Sequence, residues 1–299
     1  MGNLNTGSGA VDTQLANNAY DNPLGALASM GKGANIGLVC TLVLMASMGV
    51  LTDQMGTTVA RGQTDNKVQN DILNLSTDIS NLQTNSGVIN PAGPCYQGMY
   101  DEGLPGPLAA MEKQLATDWK QLYGNTTFNA DGTVATVDPN SDFGQMVSML
   151  KQQDGANYTT DPRYQEPLGL ASAFVTTQIS DPNQSGGYTG ATLYSDITDY
   201  NNSNGQTHGT FDNDIDALCG NHYMYNNAIG SAPKPTTDWL GTFYSDDSAA
   251  QAPFTTQSQE DSAFLSQGAA TMNSLQGIGQ QMITSETSMI TQVVQNTAA

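Results

Sequence analysis

The stretch Ile36-Gly37-Leu38-Val39-Cys40-Thr41-Leu42-Val43-Leu44-Met45-Ala46-Ser47-Met48-Gly49-Val50-Leu51 carries no charge and no proline. Its apolar residues do not keep to one stripe. Wound as a helix, it is apolar on every side, so protein or lipid must enclose it. Sixteen residues rise about 24 Å, and a bilayer core takes about 30 Å, so a span is marginal. Burying its ten large side chains is worth about 15–30 kcal/mol as an upper figure. A thin monomer cannot surround such a rod, whereas several subunits packed together can.

Downstream, Val68, Ile72, Leu75, Ile79 and Leu82 recur at spacings of 4, 3, 4 and 3. That alternation is the coiled-coil period, and it predicts a helix that stops near Asn85-Ser86-Gly87. At the other end of the chain, Met272, Leu275, Gly279, Met282, Glu286, Met289 and Val293 continue the same alternation, and Ile278, Ile283, Ile290 and Val294 widen it. Ser, Thr, Gln and Asn flank this second stripe, so its helix depends on packing rather than on propensity. The two stripes read as a helical hairpin, with the 272–293 stripe answering the 68–82 stripe.

Composition sets the context. The 299 residues hold 8 Lys plus Arg against 28 Asp plus Glu, a net charge of −20 and a pI near 4.1. Such a polyanion is a poor partner for nucleic acid or anionic headgroups. Charged residues are only 12% of the chain and apolar ones 38%, with mean hydropathy −0.35. That balance fits a secreted or surface-exposed structural protein better than a cytosolic enzyme. The N-terminus shows no basic-then-apolar pattern of a cleaved secretory signal.

Four zones follow. Residues 1–35 are polar, with a short helix expected at Val11–Ala19. Residues 36–86 form the apolar and then heptad helix. Residues 87–257 hold 19 of the 28 acids, 5 basic residues and frequent turn signals, and read as an acidic, solvent-facing insert of irregular α+β type. Helices are expected there at Pro107–Leu122 and Phe143–Gln152, and strands at Gly132–Val137 and Ala191–Ile197. Residues 258–299 form the C-terminal coiled-coil helix. The expected fold is therefore mainly α.

Chemistry-bearing motifs are scarce. Cys40 reads as a small buried hydrophobe, while Cys95 and Cys219 either join in a disulfide or stay as thiols. Cys219 and His222 would need His208 and Cys95 to complete a zinc site, and surface histidines are the simpler reading. Asp212-Asn213-Asp214-Ile215-Asp216 starts like a calcium loop, but Ala217 and Tyr223 stand where Gly and Glu belong. Nucleophile elbow, P-loop and dinucleotide fingerprint are all missing. No catalytic, cofactor or metal site is expected.

A polar leader with Asn22-Pro23-Leu24, the Gly-flanked apolar helix Ile36–Leu51, the heptad helix Thr52–Gln83 and a C-terminal helix rich in Met, Leu, Ile, Ser and Gln resembles the EspA/SseB-type filament proteins of type III secretion systems. The resemblance covers residues 20–86 and 258–299 and is one of architecture and hydropathy. It implies a homopolymer forming a hollow extracellular tube that extends a secretion needle. It also implies an uncleaved export signal in residues 1–35, a cytosolic export chaperone, contact with the needle or its tip, and exposure to a host surface. The assembly core would comprise Ile36, Leu38, Val39, Leu42, Val43, Leu44, Met45, Met48, Leu51, the 68–82 stripe, and Met272, Leu275, Met282, Met289 and Val293. Two other classes compete. A membrane-active translocator rests on the same apolar run. A pilin-like filament would want a Glu inside that run, and none is there.

Overall fold

The computed structural model describes residues 36–86, 107–177, 179–180, 192–202, 234–235 and 239–297. Six α-helices lie among them: α1 (Ile36–Ser86), α2 (Pro107–Tyr123), α3 (Asp142–Asp154), α4 (Pro162–Thr176), α5 (Leu193–Asn202) and α6 (Trp239–Thr297). A 3-10 turn, Gly155–Thr160, joins α3 to α4. Two short antiparallel ribbons complete the set, β1 (Thr127–Phe128) with β2 (Val134–Thr136), and β3 (Ile179–Ser180) with β4 (Lys234–Pro235). The protein is mainly α, with long N- and C-terminal helices and a smaller mixed middle.

The apolar run and the heptad stripe belong to one unbroken helix, α1, which ends at Ser86 just before Gly87. The second long helix starts earlier than position 258. It begins at Trp239 and passes through Pro253. Proline lacks an N–H and crowds the preceding turn, which is why the proline-free zone understates the helix. Here neighbouring Phe254 and Ala250 are buried and hold the turn in place.

Two compact units divide the chain, Met1–Ala60 with Gln259–Ala299, and Arg61–Ser258. In the second unit, residues of the 87–257 segment build a core together with the heptad stripe. Val68, Ile72, Leu75 and Ile79 of α1 meet Leu115, Trp119 and Leu122 of α2, Phe143, Met146, Val147 and Leu150 of α3, Phe174 of α4, and Trp239, Phe243 and Phe254 of α6. Aromatic rings dominate this core. Trp119 lies 4.5 Å from Tyr123 and 4.8 Å from Phe174, and Trp239 stacks on Phe243 at 5.1 Å. Their polar tips are matched, with Tyr123 Oη donating to the Pro167 carbonyl at 2.6 Å and Trp239 Nε1 to the Ala173 carbonyl at 2.9 Å. Each match removes the penalty of an unsatisfied buried group.

Local sequence explains the ends of these elements. Ser141 caps α3 by accepting from the Gly144 N–H, and Gly155, at φ 59°, closes it with its N–H on the Lys151 carbonyl. Asp161 caps α4, which opens on Pro162. The β1–β2 turn is closed by Gly132 at φ 82°, and Asp131 Oδ1 accepts from both the Thr133 N–H and its hydroxyl. One expected strand is a helix instead. Leu193, Ile197 and Tyr200, spaced 4 and 3, are the buried face of α5, and Thr192 and Ser195 cap its start reciprocally at 3.0 and 3.2 Å. Thr and Tyr suggested a strand, and the period of the buried residues decided otherwise.

Candidate functional site

In the first unit α1 and α6 run antiparallel. Leu44 Cδ1 reaches to 4.0 Å from where a Gly279 side chain would begin, and Leu51 Cδ1 and Met55 Sδ approach Gly268 in the same way at 3.6 and 2.9 Å. Leu44, Leu51 and Met55, with half-buried Met48 between them, make one stripe at spacings of 4, 3 and 4. Gly268 and Gly279 let the helix backbones come close where those large side chains lie.

That stripe accounts for only part of the apolar run. Leu42 lies two residues before Leu44, about 200° around the helix, yet it is 1% exposed, and Ala46 one turn later is also buried. Between these faces, Val43 and Val50 stand one heptad apart and are 45% and 52% exposed, and Val59 is exposed as well. Val39, Cys40 and Met45 are half-buried, and Cys40 is a free thiol. By length and composition alone, this helix is long and apolar enough to cross a membrane.

On α6, Met272, Leu275, Gly279, Met282 and Glu286 are half-buried, as the 4, 3 alternation predicts. Beyond Glu286 every described residue to Thr297 is exposed. Met289, Ile290, Val293 and Val294 are therefore apolar side chains in solvent, joined by Ile278 and by Ile283 at 66% exposure. Large apolar patches on a soluble chain mark interaction surfaces.

The expected stripe-to-stripe pairing is corrected. The 272–293 stripe belongs to the first unit and accompanies the apolar run, while Val68, Ile72, Leu75 and Ile79 are fully buried in the second unit against α2, α3 and residues of α6 before Ser258. Gln69 Nε2 donating to Thr255 Oγ1 at 3.1 Å fixes that register. Those four residues hold the chain's own fold and present nothing to another molecule. The side chains of Ile36, Leu38 and Leu82 lie outside the described residues, as do Cys95, Cys219, His208, His222, the 212–216 acidic run and the Val11–Ala19 segment.

None of a set of buried acids is singled out in the sequence analysis. Asp71 and Asp78 of α1, Asp118 of α2 and Asp247 of α6 are all buried. Burial pushes Asp71 up to about 7, helped by contact with Asp142, and Asp78 up to about 8, helped by contact with Asp118. The signal was in the sequence, since Asp71 and Asp78 sit one heptad apart and directly precede Ile72 and Ile79 of the stripe. Asp65 is also buried and meets Arg163 Nη1 at 3.1 Å, and Arg163 grips Asp161 through Nη2 at 2.8 Å and Nε at 3.1 Å. Among the described residues no three His, Cys, Asp or Glu side chains are placed to hold a metal ion. No protein-family model, no curated protein and no solved structure matches this chain.

Proposed function

We propose that this chain is a subunit of a self-assembling extracellular filament, joined to its copies through the helices of the first unit. The supporting observation is the excess of apolar surface there. The helix Ile36–Ser86 is apolar on several faces within that unit, and Val43, Val50, Val59, Ile278, Ile283, Ile290 and Val294 stay exposed. Neighbouring copies offer the same side chains and can cover them. The net charge of −20 opposes association, but the Debye length in physiological salt is about 8 Å, so exposed acids are largely screened. The resemblance to EspA/SseB-type proteins refines the reading: a tubular extension of a type III secretion needle, delivered by a chaperone and facing a host surface.

The membrane-active reading draws on the same segment, since it is long and apolar enough to span. The polymer is favoured because the exposed apolar residues of α6 alternate with Gln280, Gln281, Thr284, Ser285, Ser288 and Gln292. A bilayer would have to accept that polar face along with the apolar one.

Negative-stain imaging and sedimentation of the purified full chain, without lipid and at low and high salt, test the proposal. Salt-tolerant filaments are expected, together with no flotation on liposomes of zwitterionic or anionic lipid. A monodisperse monomer at high concentration, or monomers that float with liposomes, would overturn it.

A further inference from the structure

The second unit carries a feature that filament assembly does not use. Asp78 on α1 faces Asp118 on α2, and Asp71 on α1 faces Asp142 at the start of α3. Asp71 and Asp78 are 2% and 7% exposed, and Asp71 Oδ2 and Asp78 Oδ2 are completely buried without a hydrogen-bond donor. Their surroundings supply little positive charge. Gln121 Nε2 donates to Asp71 Oδ1 at 2.8 Å, and Gln114 Nε2 lies 3.0 Å from both oxygens of Asp118. Lys67 lies 4.0 Å from Asp142 and is largely exposed. Asp247 of α6, another buried acid, is hydrogen-bonded to Gln251 and to Ser76 of α1. Arg163 is committed to Asp65 and Asp161.

Two carboxylates in contact repel each other, and an oxygen sealed from water without a donor costs free energy. One proton resolves both problems, because a protonated carboxyl donates to the oxygen of its partner. We propose that Asp71–Asp142 and Asp78–Asp118 are proton-binding pairs that lock α1 to α2 and α3, each closed by one proton shared between two carboxyl groups and released when that proton passes to solvent. The lock is full in mild acid and loosens above neutrality. The chain is thereby a pH-responsive structure whose middle unit is tightest in acidic surroundings.

The sign follows from linkage. Both α1 carboxyls bind protons more tightly when folded than their ordinary value of 3.8, and burial is the largest cause. Their stabilising contribution is therefore complete below about pH 4 and is lost as pH rises through about 7 and about 8.

The test is thermal unfolding of the full chain at constant ionic strength between about pH 5 and pH 9. The midpoint is expected to fall by several degrees across neutrality. The Asp71→Asn/Asp78→Asn double variant should lose most of that fall and unfold at a higher temperature than the parent at the alkaline end. A control with two exposed acids replaced, Asp53→Asn/Asp199→Asn, removes the same net charge and should keep the fall. A flat parent profile, or a double variant that falls as the parent does, would overturn the proposal. Should the double variant not fold, carboxyl-carbon NMR of the parent decides: two aspartates titrating near neutrality support the lock, and all aspartates titrating in the ordinary acid range refute it.

Discussion

Met55 packs its thioether against the bare backbone of Gly268, so a β-carbon there would lie 2.9 Å from the sulfur. The contact shows how the first unit closes: a long flexible side chain on one helix fills the space left by a glycine on the other. A Val at 268 would push branched carbons into Met55 and Leu51, so Gly268→Val should cost about 1–3 kcal/mol. Gly277 has nothing within 4 Å of its β position, and Gly277→Ala should stabilise α6 by up to about 1 kcal/mol through helix propensity alone. Urea unfolding of the two variants beside the parent checks the contrast. Equal effects at both positions would contradict the close approach at Gly268.

Arg163 is a buried cation, gripping Asp161 with two nitrogens and Asp65 with a third. Its removal strands two carboxylates, one of them in the core. Arg163→Ala should destabilise the second unit by about 3–5 kcal/mol. Arg163→Lys should recover little, because one ammonium cannot reproduce the fork. Thermal unfolding measures both, and a Lys variant as stable as the parent would show that charge alone suffices.

The start of α3 rests on Ser141 Oγ, which accepts from the Gly144 N–H at 3.0 Å. Ser141→Ala should cost about 1 kcal/mol, the usual worth of such a cap. Gly144 is less forgiving, since a β-carbon there would run into the Asp138 backbone carbonyl, which cannot move aside as a side chain can. Gly144→Ala should therefore lower the unfolding midpoint more than Ser141→Ala does, and the reverse order would count against this reading of the turn.

Val43 and Val50 project from one side of α1 and contribute little to the fold of a single chain. Val43→Asp/Val50→Asp should leave helicity and unfolding midpoint nearly unchanged while reducing assembly at least tenfold in sedimentation. Leu44→Asp is a different experiment, because Leu44 packs against Gly279 inside the hairpin and its loss disturbs the subunit itself. Normal filaments from the double Val variant would place the assembly surface elsewhere.

Much of this fold was legible locally. The apolar run, the 68–82 alternation, the stop at Ser86 and the helices at 107–123 and 142–154 follow from periodicity and end signals acting over a few residues. The pairing of the stripes was not. Reading two stripes of equal period as partners ignored the helical turns before Ser258, which Pro253 disguised. The buried acids escaped for a related reason, since an Asp beside a heptad position looks the same whether it meets water or another carboxyl.

The amino-acid sequence by itself determined that this protein is mainly helical and that residues 36–51 need cover on several sides, because a helix turns by a fixed angle per residue and its faces can be counted. Only the tertiary structure decided that Leu44 meets Gly279, that Ile72 and Ile79 serve the second unit's core, and that Asp78 lies against Asp118. Those facts depend on which segments distant in the chain come together, and side-chain period carries no record of its partner.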